Sequence, residues 1–111
     1  MKSKTQLDDS TPRMSSKEAV VLELLLTSRK KGMYGLELVA ESAGKLKRGT
    51  VYVTLSRMED KGYVQSQEEE SGAETRGLPR RLYRPTGYGQ RVYEAWQLAK
   101  EARRLLLQGG L

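Results

Sequence analysis

Apolar residues crowd the segment after Ser15. Ala19, Val20, Leu22, Leu24, Leu25 and Leu26 follow a Ser15/Glu18 pair with the three-residue spacing of a capping box, which predicts a first helix starting near Ser15. Its apolar positions are too dense for one buried stripe, so one face is expected on the core and another against a partner subunit. Gly32 closes the run as a helix stop. A second helix is expected from Tyr34-Gly35, with Leu36, Val39, Ala40 and Ala43 at helical spacing and Gly44 at its end. Residues 45–49 turn into a third helix over residues 50–61. Val51, Leu55 and Met58 recur at i, i+4 and i+7 as its buried stripe. Thr50, Thr54, Arg57 and Lys61 share an adjacent polar face, and Gly62 terminates the helix.

The periodicity then changes from helical to alternating. Residues 63–67 read as a strand, and residues 68–77 lack any apolar period and read as a mobile hairpin tip. Residues 80–84 make the return strand, with Leu82 inward and Arg81 and Tyr83 outward. A last helix begins over residues 86–89 and extends to about residue 107. Its stripe is Tyr88, Val92, Ala95, Ala99, Ala102 and Leu106, widened by Trp96 and Leu105. The fold class is therefore mostly α with a small β-hairpin, in the layout of a winged helix-turn-helix. Residues 1–14 read as a flexible arm, residues 15–85 as the winged domain and residues 86–111 as a separate C-terminal helix.

Composition narrows the chemistry. The chain has 111 residues and a net charge of +6, from 20 Lys and Arg against 14 Asp and Glu, which favours an anionic partner. It contains no Cys and no His, removing thiolate chemistry, the usual general base and the commonest metal ligand. No catalytic residue, metal or cofactor is expected. The apolar runs are too short to span a bilayer, and no signal-peptide core opens the chain, so the expectation is a cytoplasmic protein with no membrane partner.

The remaining chemistry is that of a nucleic-acid reader. The N-terminal turn of the helix beginning near Thr50 is expected in a major groove. Thr50 and Thr54 suit base edges or a thymine methyl, and Arg57 suits phosphate or guanine. Lys47 and Arg48, just before the helix, suit backbone phosphate, and Lys61 extends the cationic face. Tyr52 is either a packing tyrosine or a phosphate contact. Arg76, Arg80, Arg81 and Arg84 arm the hairpin, while the Glu68-Glu69-Glu70 run is expected to point away from the DNA. Lys2, Lys4 and Arg13 of the arm are further phosphate candidates.

Several separated motifs carry a family resemblance. Tyr34-Gly35 with Leu38, Gly49-Thr50-Val51-Tyr52, Arg57 with Gly62, and Gly77, Pro79, Arg80, Arg81, Tyr83, Thr86 and Gly89 occur in order. Over roughly residues 17–100 this pattern resembles the PadR family of bacterial transcriptional regulators, which are winged-helix proteins. Val53 stands where that family usually carries Pro, and Leu78 where a basic residue is common. The single last helix resembles the family's smaller subgroup, which implies a homodimer joined through residues 86–111. The resemblance also implies that an aromatic residue on that helix lines a pocket between subunits for a flat effector. Trp96, with Val92 and Ala99, would then bind a planar aromatic small molecule, the plainer alternative being dimer packing.

The expected function is a sequence-specific DNA-binding regulator: a dimeric repressor on a pseudo-palindromic operator in double-stranded DNA, relieved by an aromatic effector. The alternative is a winged-helix protein–protein interaction module without a specific DNA target.

Overall fold

Helix α1, Ser16–Thr27, starts with both halves of its capping box in place. The Glu18 amide donates to Ser15 Oγ at 3.1 Å, and the Ser15 amide donates to Glu18 Oε1 at 2.9 Å. This computed structural model describes residues 13–69 and 80–108. The arm with Lys2 and Lys4, and the hairpin-tip residues Glu70 and Arg76 to Pro79, lie outside the described residues. Helix α1 ends at Ser28, whose extended backbone turns its amide onto Leu24 O at 3.0 Å. Gly32 therefore does not stop the helix. It precedes an unanticipated strand, β1 (Met33–Tyr34), where a Cβ would meet Leu82 Cγ and Tyr83 O at 2.9 Å. Only a residue without a side chain lets the two strands approach there.

Helix α2, Gly35–Glu41, buries Gly35 and Leu38. The expected stripe is out of phase, since Leu36, Ala40 and Ala43 are exposed and only Val39 is half-buried. The cause lies in the next helix: the Tyr52 ring covers Gly35, where a Cβ would fall 2.5 Å from it. That contact fixes the rotation of α2 and points Leu38 inward. Buried Ser42 then organises the turn, donating to Val39 O and accepting the Leu46 amide, both at 2.9 Å.

Helix α3, Val51–Asp60, buries the expected Val51, Leu55 and Met58. It closes in a Schellman motif, with Tyr63 N donating to Met58 O at 2.8 Å and Gly62 N to Glu59 O at 3.0 Å. Gly62 adopts φ +82°, so here glycine is the terminator the sequence indicates.

Strands β2 (Val64–Glu69) and β3 (Arg80–Pro85) complete a three-stranded antiparallel sheet of order β1-β3-β2. The expected facing of β3 is reversed. Tyr83 is buried opposite buried Met33, while Leu82 is half-buried on the other face with Arg80 and Arg84. Strand β1 makes β3 the central strand, so its core-facing residue is the one in register with Met33.

Helix α4, Gly87–Gln108, begins where Thr86 joins it to the end of α3. Thr86 Oγ1 donates to Gly62 O at 2.6 Å and accepts the Gly89 amide at 2.9 Å. Gly89 lies directly on Tyr63, where a Cβ would be 2.1 Å from the carbonyl oxygen. The helix buries Gly89, Val92 and Tyr93 and half-buries Trp96, after which every described residue is exposed. The expected stripe is thus shortened and shifted toward Tyr93. Among the described residues no helix is long and apolar enough to cross a membrane.

Candidate nucleic-acid interface

The interface follows from how α3 is seated. At about 100° per residue, Val51, Leu55 and Met58 converge on the core side. Val53 then falls about 200° from Val51, at the outermost position of the first turn. Lys47, Arg48 and Thr50 precede it, all exposed, and Ser56 and Arg57 follow it, also exposed. No carboxylate occurs in the first turn, whereas Glu59 and Asp60 close the helix. The N-terminal end is therefore the cationic end, an arrangement that the helix dipole reinforces.

Thr54, Arg57 and Lys61 lie on the flank facing α1. Half-buried Thr54 and exposed Arg57 line a shallow depression of about 340 Å³ with Ser15, Ser16, Lys17 and Glu18. Lys61 is taken up elsewhere: its Nζ sits 2.9 and 3.0 Å from the carboxylate oxygens of Glu18. It also donates to Arg13 O at 3.3 Å. Glu18 is only 3% exposed, so its carboxylate depends on this ammonium. Lys61 is thus held by the fold, although 39% of its side chain stays exposed. Tyr52 is half-exposed while its ring packs on Gly35, which reconciles the two readings of that residue.

The wing is more charge-balanced than its arginines suggest. Glu68 stands opposite Arg81 and Glu69 opposite Arg80, so these acids are strand residues of the hairpin stem. The Arg80 guanidinium stacks on the Tyr34 ring at 4.3 Å. The Tyr34 hydroxyl donates to Glu69, a bond that raises the Tyr34 pKa above its ordinary value, with desolvation adding to it. Arg84 donates to Gln67 Oε1 at 3.4 Å. Arg81 is exposed, whereas Arg80 and Arg84 are half-buried. Across the sheet, Glu59 at the end of α3 accepts from Ser66 Oγ at 2.8 Å, tying α3 to the wing.

A helix seated on a core and braced against a three-stranded wing is an arrangement shared with known regulators. The family model for the transcriptional regulator PadR-like family matches residues 21–95. The chain belongs to this family. It is a transcriptional regulator with a DNA-binding winged helix, not an enzyme. A PadR family transcription regulator from hypervirulent Clostridium difficile is 26% identical, with 85% of this chain and 97% of that chain covered at a TM-score of 0.64. A PadR family regulator from Eggerthella lenta is 25% identical, over 95% and 90% of the two chains, with a TM-score of 0.59. A MepR mutant from S. aureus, solved bound to an oligodeoxyribonucleotide, shares the fold at 20% identity and a TM-score of 0.61, over 96% of this chain and 69% of that one. No curated protein matches the chain.

In this PadR-family chain, a second concavity of about 690 Å³ lies between α1 and α4. Tyr93 and Trp96 line it with Val20, Glu23, Lys100 and Arg104. The Tyr93 and Trp96 rings stack at 6.1 Å with 21° between planes, and Lys100 Nζ lies 4.9 Å from the Trp96 ring centroid. Burial raises the Tyr93 pKa. Of the expected effector residues, Trp96 lines this space. Val92 is buried in the core, and Ala99 is exposed outside the cavity lining. Tyr93 was not singled out by the sequence, because a tyrosine beside the stripe gives no signal until α4 is placed on α1. Val53 did carry one: it is an apolar residue off the buried period of its helix.

Proposed function

We propose that this PadR-family regulator is a dimeric repressor that reads a pseudo-palindromic operator with one α3 per half-site. One observation carries the reading: α3 keeps Val51, Leu55 and Met58 in the core while its carboxylate-free first turn, with Lys47, Arg48 and Thr50, stays exposed. Lys47 and Arg48 take phosphates, Thr50 and Thr54 reach base edges, and Arg57 takes phosphate or guanine. The Tyr52 hydroxyl adds a backbone contact. Arg81 and the stacked Arg80 address the flanking phosphates from the wing.

The unburied leucines of α4, Leu98, Leu105, Leu106 and Leu107, support that helix as the dimer seam. Two reading helices on a twofold axis ask for half-site centres roughly 10 or 20 base pairs apart, and occupancy of such a site blocks polymerase. The cavity walled by Tyr93 and Trp96 supports a small aromatic effector that relieves repression. Lys100 over the Trp96 ring gives such a ligand a polar neighbour.

Selection of bound duplexes from a random pool tests the reading, with affinity of the enriched site measured against salt. An enriched inverted repeat is expected, with affinity falling steeply as salt rises. Arg48→Ala should weaken binding to all sequences alike and lower the salt slope by about 1. Absence of an enriched sequence would favour the protein-interaction alternative. Trp96 emission that ignores every planar compound tried would remove the effector.

A further inference from the structure

Val53 sits at the outermost point of the first turn of α3, surrounded by Lys47, Arg48, Thr50, Tyr52, Ser56 and Arg57, with the carboxylate of Asp60 on the same face two turns further along. It is 54% exposed, although it is a branched hydrocarbon with no atom that can hydrogen-bond. It has left the buried stripe, and a β-branched residue is a slightly poor helix former. Its cationic, hydroxyl-bearing surroundings complement a polyanion rather than an apolar protein surface. Among the groups that a B-DNA major groove displays, one is purely apolar, the C5-methyl of thymine.

From this position we infer that Val53 is a specificity determinant that packs on a thymine methyl in each half-site. The inference rests on the reading of α3 as the DNA-contacting helix and adds which base it prefers and by what contact. Cytosine at that position has no methyl to bury, and a purine presents polar edges to a side chain that cannot pair with them. Val53 therefore discriminates by apolar contact, while Lys47 and Arg48 supply affinity without regard to sequence.

The test uses the full chain and the operator selected from a random duplex pool. Each thymine of one half-site, then of both, is replaced by deoxyuridine, which removes only the methyl group. The wild-type protein should lose about four-fold in affinity for each half-site at one position, the size set by burial of a single methyl-sized group. Val53→Ser should bind the thymine and deoxyuridine operators equally. Val53 is exposed, so the substitution leaves the fold intact, and an unchanged urea midpoint verifies this. If the wild type is indifferent to deoxyuridine at every position, or Val53→Ser keeps the full thymine preference, the inference falls and DNA reading by α3 stands. If no sequence is enriched at all, the reading of α3 falls first and takes this inference with it.

Discussion

Gly89 and Gly49 are chemically the same and structurally opposite. A methyl group at Gly89 would be driven into the Tyr63 carbonyl oxygen at 2.1 Å, and that carbonyl belongs to backbone that cannot swing aside. Gly89→Ala should cost about 3 kcal/mol in a urea melt, the upper range for an overpacked site. Gly49 has open space around it, so Gly49→Ala should be neutral or stabilise by about 0.5 kcal/mol in the same experiment. Glu18 shows how much of a residue's role the sequence conceals. Its spacing from Ser15 reveals the capping box, but nothing local reveals the ion pair with Lys61, 43 positions away. Lys61→Met should therefore lower stability by about 2 kcal/mol, because it leaves a buried carboxylate short of its counter-charge.

At the level of elements, α1, α3, the hairpin and α4 are legible because each carries its own period or stop signal. The exceptions have a common cause. Helix α2 spans seven residues, too few for a period to outweigh one tertiary contact, and the Tyr52 ring on Gly35 sets its phase. Strand β1 is two residues long and gives no alternation, yet it makes β3 central and turns Tyr83 rather than Leu82 inward. In the interface, the exposed row from Lys47 to Thr50 was readable from charge, whereas the diversion of Lys61 and the stacking of Arg80 on Tyr34 depend on strand register and helix packing. The start of α2 also supplies a pH test. The Lys30 ammonium, 2.8 Å away, holds the Glu37 carboxyl below its ordinary pKa, helped by the Tyr34 amide and opposed by desolvation. A depressed folded pKa stabilises above the unfolded value of about 4.3, and the gain is lost as pH falls through the folded value. Urea midpoints at pH 7 and pH 3 should therefore differ slightly more for the wild type than for Glu37→Gln, the margin being small for so open a pair.

Across the whole molecule, the last buried or half-buried residue of α4 is Trp96; residues 97–108 are exposed, with Gln97, Lys100, Glu101 and Arg104 still lining the cavity beside α1. Deleting residues 98–111 should leave the urea midpoint of the winged domain within about 1 kcal/mol, since every described residue removed is exposed. Sedimentation should then report a monomer, and operator affinity should fall toward that of a single half-site. The junction at Thr86 gives this geometry a mechanical meaning. One hydroxyl grips the carbonyl of Gly62, just past the end of α3, and starts the next helix, and Gly89 is wedged on Tyr63 beside it. With no slack in that elbow, the 22-residue helix is a crank arm of about 33 Å. If α4 is the dimer seam proposed above, a push on its free end turns α3 at the other.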